Sequence, residues 1–122
     1  MFSHMISGKI ESGLGEGAYF VAKYEQLFLQ HLGFTPFHGT LNVKVKEVPK
    51  LENPITILPG GSFKPVHCYK ALLKGNGSQN NVFVIRPEAT KHPKEIVEII
   101  APICIKEKYG LKDGDTVTCS LE

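Results

Sequence analysis

Apolar and polar residues alternate along several stretches of this chain. Leu41-Asn42-Val43-Lys44-Val45-Lys46 predicts a half-buried strand. Val66 to Lys74 and Asn81 to Arg86 predict two more, joined by the flexible hairpin connection Gly75-Asn76-Gly77-Ser78. Glu95 to Ala101 is apolar and β-branched and reads as strand rather than helix. Gly8 to Ser12 predicts a first strand, Ala18 to Val21 a second, Ile55 to Ile57 a short one and Thr116 to Cys119 the last. One stretch carries a long helical period: Tyr24, Leu27, Phe28, His31 and Leu32 predict a helix over residues 22–32, with Gly33 where a left-handed C-cap is expected. Ile103 to Tyr109 predicts a short helix closed by Gly110.

Short strands with one main helix do not alternate as βαβ units do, which disfavours a doubly wound parallel sheet. The pattern predicts a mostly β fold: a small closed β-barrel with one main helix and one short helix, since closure removes exposed sheet edges. At 122 residues a single domain is expected, and it buries roughly two-thirds of the surface of its unfolded chain. That domain is expected over residues 6–122. Residues 1–5 are out of character with the rest of the chain and read as a cloning remnant or a disordered end.

Composition narrows the function classes. Hydrophobic residues make up 42% and charged ones 21%, the balance of a globular chain. A net charge of +2 argues against a dedicated nucleic-acid surface. Cys68, Cys104 and Cys119 are widely spaced and odd in number, so free thiols in a reducing cytosol are expected rather than a disulfide framework or a zinc site. No apolar run approaches the ~20 residues that span a bilayer, and no secretory segment follows the start. A cytoplasmic monomer without membrane or nucleic-acid partners is expected.

Two motifs carry the candidate chemistry. Gly13-Leu14-Gly15-Glu16-Gly17-Ala18 is glycine-rich backbone that can close around phosphates, although it matches neither the P-loop nor the dinucleotide fingerprint. A glycine-rich turn between strands is the alternative. In Gly39-Thr40-Leu41-Asn42-Val43, the side chains of Thr40 and Asn42 share one side of a strand while Leu41 and Val43 face the core. A hydroxyl and an amide oxygen at that spacing suit a hard cation such as Mg²⁺; the alternative is a polar solvent face. Glu98 lies between Ile96 and Ile100 on one strand face, where a carboxylate needs either a ligand pocket or a basic partner. There it could accept hydrogen bonds from a hydroxylated substrate or act as a base toward an alcohol. Thr90 sits in the Pro-bounded loop Arg86 to Pro93, either a functional loop or a solvated turn. His38, His67 and His92 lack ligand spacing and read as structural or solvent residues, and Asp113 and Asp115 read as turn chemistry.

Taken together, these segments resemble the archaeal CTP-dependent riboflavin kinases. The residues that carry the resemblance are Gly13 to Phe20, Gly39 to Val43, Pro87 to Thr90, Glu98 to Pro102 and Gly110 to Asp115, in order along nearly the whole chain. The resemblance implies a cradle-loop (RIFT-like) β-barrel that transfers the γ-phosphoryl group of CTP to the 5′-hydroxyl of riboflavin, giving FMN and CDP. It implies that residues 13–18 bind CTP, with Ile103, Cys104, Ile105 and Lys106 completing that site through backbone atoms that read the cytosine. Thr40 and Asn42 would hold Mg²⁺, and Thr90 and Glu98 would contact the flavin. Three positions depart from the family pattern: His38 replaces a common Pro, Ala89 a frequent Arg, and Lys106 a frequent Arg. Two rival readings are a flavin-binding module without kinase activity and a DNA-binding barrel module, the latter disfavoured by the near-neutral charge.

Overall fold

A computed structural model of the chain describes residues 4–13, 15–90 and 92–122. Its elements, in chain order, are β1 (His4–Glu11), α1 (Gly17–Leu32), β2 (Leu41–Val45), β3 (Ile55–Ile57), β4 (Val66–Gly75), β5 (Ser78–Pro87), β6 (Ile96–Ile100), α2 (Ile105–Tyr109) and β7 (Thr116–Leu121). Strands β4-β5-β6-β2-β1-β7 form a closed antiparallel barrel, with β7 pairing back to β4. Strand β3 lies outside the ring. It pairs with Val66 to Cys68, at the start of β4, while β7 takes Ala71 to Lys74 further along the same strand. The small closed barrel with one long and one short helix is the architecture that the alternation predicts.

Alternation also divides the core in two. Leu41, Val43, Leu73, Val82, Val84, Val97, Ile99 and Val117 fill the barrel interior. Cys68, Ile85 and Ile100, on the outer face, pack under Val21, Tyr24 and Phe28 of α1. The Tyr24 ring stacks between Phe20 and Phe63, with centroids 4.5 and 5.3 Å away. Its hydroxyl donates to the Lys64 carbonyl at 2.8 Å and accepts from the Lys64 amide at 3.0 Å, so this buried polar group is satisfied.

Helix α1 starts at Gly17, so Ala18 to Val21 is its first turn and not a strand. Val21, Tyr24 and Phe28 are its buried residues, at helical spacing, and the outer barrel face needs that full apolar stripe as cover. Gly33 caps the helix in the left-handed region (φ 85°), its amide donating to the Leu29 carbonyl, as expected. Strand β1 starts at His4, ahead of the predicted Gly8; His4 and Met5 stand opposite Leu121 and Ser120 of β7. The β4–β5 hairpin turns on Asn76 and Gly77, both at positive φ, the conformation whose twist suits a two-residue hairpin. Cys68 and Cys119 are buried free thiols, and burial pushes both pKa values up to about 12. No helix among the described residues is long and apolar enough to cross a membrane.

Phe28 is fully buried where α1 meets the barrel, whereas Tyr19, in the same helix, is 74% exposed. Phe28→Ala should therefore cost about 3–5 kcal/mol of unfolding free energy in urea titrations. Tyr19→Ala should stay within about 0.5 kcal/mol of the wild type. Equal losses in the two variants would contradict this packing.

Candidate functional site

The polar residues singled out in the sequence converge on the outer face of the barrel, beside the first turn of α1. Pairing of β2 with β1 and β6 sets Asn42 between Glu11 and Glu98. Asn42 and Glu98 are only 6% and 7% exposed, so Asn42 is not part of a solvent face. The Thr40 hydroxyl lies 3.4 Å from Asn42 Oδ1. The glycine loop crosses directly over this pair. A Cβ at Gly13 would lie 2.3 Å from Asn42 Nδ2, and one at Gly17 would lie 2.5 Å from Thr40 Oγ1. Those two positions need glycine for close approach, whereas Gly15 needs it for its positive φ of 82°. Glu16 and Ala18 flank Gly17 at the start of α1, where the first-turn amides have no helical acceptor. Leu14 lies outside the described residues.

Glu98 is held from the loop that follows β5. Thr90 donates its hydroxyl hydrogen to Glu98 Oε2 at 3.2 Å and accepts from the His92 amide at 3.2 Å. The His92 ring brings Nε2 to 3.8 Å from Glu98 Oε1. Arg86 secures the same loop by donating to the carbonyls of Ile96 and Lys94 at 3.0 and 2.9 Å. Burial raises the Glu98 pKa above the usual carboxylate range, against the opposing pull of His92, Thr90 and Arg86. His92 is therefore packed beside Glu98 and not out in solvent, and Arg86 holds the loop that carries it. The one available signal was that both belong to the Pro-bounded loop that carries Thr90.

Ile103 to Lys106 line a small cleft with Phe37, Gly39, Thr40 and Ala101, which places them next to the same hydroxyl. Ile105 belongs to the barrel core cluster. The Phe37 amide donates to the Ala101 carbonyl at 2.8 Å, and His38 Nε2 lies 2.5 Å from Glu25 Oε1, which ties the approach to Thr40 back to α1. Lys106 extends toward Asp113, at 2.9 Å. A second cavity, of about 480 Å³, is lined by Glu11, Ser12, Lys44, His92, Pro93 and Ile96. A wider groove, of about 1670 Å³, runs along β1 and β2. It shares Glu11, Ser12, Lys44 and Glu95 with the smaller cavity but lacks the converging buried polar groups of a ligand site.

No cluster of three His, Cys, Asp or Glu side chains suited to a metal occurs among the described residues. The neutral oxygens of Thr40 and Asn42 nevertheless fit a cation that keeps waters and phosphates as its other ligands. Adjacent ligands around an octahedral Mg²⁺ stand about 3 Å apart, close to the separation of these two oxygens.

A family model labelled CTP-dep_RFKase and described as "Domain of unknown function DUF120" matches residues 10–121. The chain is 42% identical to the riboflavin kinase of Thermococcus kodakarensis, over 93% of this chain and 56% of the relative. It is 38% identical to the riboflavin kinase of Methanocella arvoryzae, over 97% of this chain and 57% of the relative. It is 37% identical to the riboflavin kinase of Sulfurisphaera tokodaii, over 92% of this chain and 90% of the relative. The chain thus spans a little over half the length of the first two and most of the third.

The raised Glu98 pKa means that the folded state holds this proton more tightly than the unfolded chain does. The group's stabilising contribution is therefore complete below the ordinary glutamate pKa of about 4.3 and is lost as pH rises through the raised value. Glu98→Gln should be more stable than the wild type in urea titrations at pH 7, and the advantage should vanish near pH 4. A variant less stable than the wild type at pH 7 would contradict this.

Proposed function

The chain belongs to the archaeal riboflavin kinase family defined by that model, and on this premise we propose that it transfers the γ-phosphoryl group of CTP to the 5′-hydroxyl of riboflavin, giving FMN and CDP. The observation that carries the reading is the contact of the glycine loop with Thr40 and Asn42, with Glu98 set opposite Asn42. One compact region thereby offers phosphate-binding amides, two hard oxygen ligands and a buried carboxylate.

Phosphoryl transfer asks the protein mainly for positioning and charge neutralisation. The amides of the glycine loop and of the first turn of α1 receive the triphosphate, where free N–H groups and the helix dipole favour anions. Thr40 and Asn42 hold Mg²⁺, which offsets phosphate charge when bound. The backbone of Ile103 to Lys106, which lines the cleft beside Thr40, receives the cytosine. The roughly 480 Å³ cavity beside His92 receives the flavin ring, and its size falls within the ~300–1,000 Å³ of small-ligand sites.

Glu98 orients the ribityl 5′-hydroxyl and accepts its proton as the oxygen attacks. Burial moves its pKa toward the working pH, which makes it a better base than an exposed carboxylate. Thr90 and His92 fix its orientation by contacts at the two carboxylate oxygens.

The test is FMN formation from riboflavin and Mg²⁺ with CTP, ATP, GTP and UTP in parallel. Turnover with CTP is expected, with little from the other nucleotides, and chelation of Mg²⁺ should abolish it. Asn42→Ala should lose most turnover with an unchanged thermal midpoint; wild-type activity in that variant would remove the metal assignment. Folded protein that binds flavin but turns over no nucleotide would identify a binding module instead.

A further inference from the structure

Asp113 lies in the turn before β7, where its side chain was expected to do only turn chemistry. Asp115 already performs that role: its Oδ2 accepts from the Lys112 amide at 2.9 Å. Both oxygens of Asp113 are used elsewhere. Oδ2 accepts a short hydrogen bond from the Ser12 hydroxyl, and Oδ1 accepts from the Lys106 ammonium at 2.9 Å. Ser12 immediately precedes Gly13, which packs on Asn42, and Lys106 ends the segment that lines the cleft beside Thr40. The turn itself is anchored to β1: the Gly114 amide donates to the Ile10 carbonyl at 2.8 Å, and the Ile10 amide donates to the Asp115 carbonyl at 2.9 Å. A single carboxylate on a fixed platform therefore bridges two separate segments.

We propose that Asp113 is a positioning residue that clasps the glycine loop to the Ile103–Lys106 wall and so sets the width of the nucleotide site. This rests on the assignment of both segments to nucleotide binding. The two hydrogen bonds keep the carboxylate ionised, holding its pKa below the usual range through Ser12 first and Lys106 second.

A purely electrostatic role would have the opposite consequence. A carboxylate beside a triphosphate repels it, so removing the charge would tighten nucleotide binding. A clasp predicts weaker binding, because the loop and the lysine lose their fixed positions before the ligand arrives. An Asn at this position keeps an acceptor oxygen and loses the charge, which separates the two roles.

The experiment measures KM for CTP, KM for riboflavin and kcat in the wild type, Asp113→Ala and Asp113→Asn, together with amide hydrogen exchange in the ligand-free proteins. Asp113→Ala should raise KM for CTP roughly five- to tenfold, in line with a charge-assisted pair of hydrogen bonds at an exposed site. KM for riboflavin and kcat should change little, and Asp113→Asn should recover most of the affinity. Exchange at Gly13 and Gly15 to Gly17 should speed up in Asp113→Ala, with the β4–β5 hairpin unchanged. An unchanged or lowered KM for CTP in Asp113→Ala would overturn the clasp. If the wild type turns over no nucleotide, the kinase reading fails, and the exchange data alone decide: faster loop exchange supports the clasp and unchanged exchange overturns it.

Discussion

The antiparallel register that sets Asn42 opposite Glu98 is the constraint on which the rest of this molecule depends. It belongs to a rung that crosses the outer face of the barrel from Glu11 through Asn42, Glu98, Ile85 and Cys68 to Ile55. Because side chains alternate strictly along a strand, a one-residue slip at β2 would turn Asn42 inward and Leu41 and Val43 outward. The barrel core and the candidate site would fail together. The apolar interior thus enforces the positions of the polar groups outside it.

That rung also explains where α1 lies. Its apolar half, Ile85 and Cys68, is covered by Val21, Tyr24 and Phe28. Its polar half is left to the glycine loop and the loop carrying Thr90 and His92. Both loops approach the sheet closely, and neither supplies the apolar cover that a helix would. Among the described residues, the cations nearest Glu98 are loosely engaged with it: the His92 nitrogen stays 3.8 Å away, and the Arg86 guanidinium donates to backbone carbonyls. A carboxylate kept in that condition lowers stability and gains reactivity, a combination common at functional sites.

The local part of this arrangement was legible in the sequence. Alternation located β2, β4 and β5, an apolar β-branched run located β6, and the Asn76–Gly77 turn and the Gly33 cap are where composition placed them. Thr40, Asn42 and Glu98 stood out because polar groups interrupted apolar strands. Misreading Ala18 to Val21 as a strand reflects a short apolar run whose period is ambiguous until Tyr24 and Phe28 are counted with it. Contacts between remote segments left no local trace. Ser12 and Asp113 are 101 residues apart, so no window along the chain contains both partners; Thr90 and Glu98 lie close in sequence, but nothing in their local pattern shows that the loop folds back onto the strand. His92, read as structural or solvent-facing, packs beside Glu98 from the preceding loop, a contact set by how the loop folds back and not by any ligand spacing along the chain.

Strand β7 closes the barrel by filling the gap between β1 and β4. Before it docks, the first strand and the second half of β4 each present unsatisfied backbone groups along an open edge. The β4–β5 hairpin can form early because its contacts are local, but the edge of β1 that is not paired with β2 must wait for a strand made near the other end of the chain. During synthesis, therefore, the sheet remains an open ribbon until Thr116 to Leu121 has emerged. Two backbone hydrogen bonds between the Asp113–Asp115 turn and Ile10 lead directly into that closing pairing. The turn that leads into the sealing strand also brings Asp113 to Ser12, so the tether of the glycine loop and the closure of the barrel are made by one continuous segment.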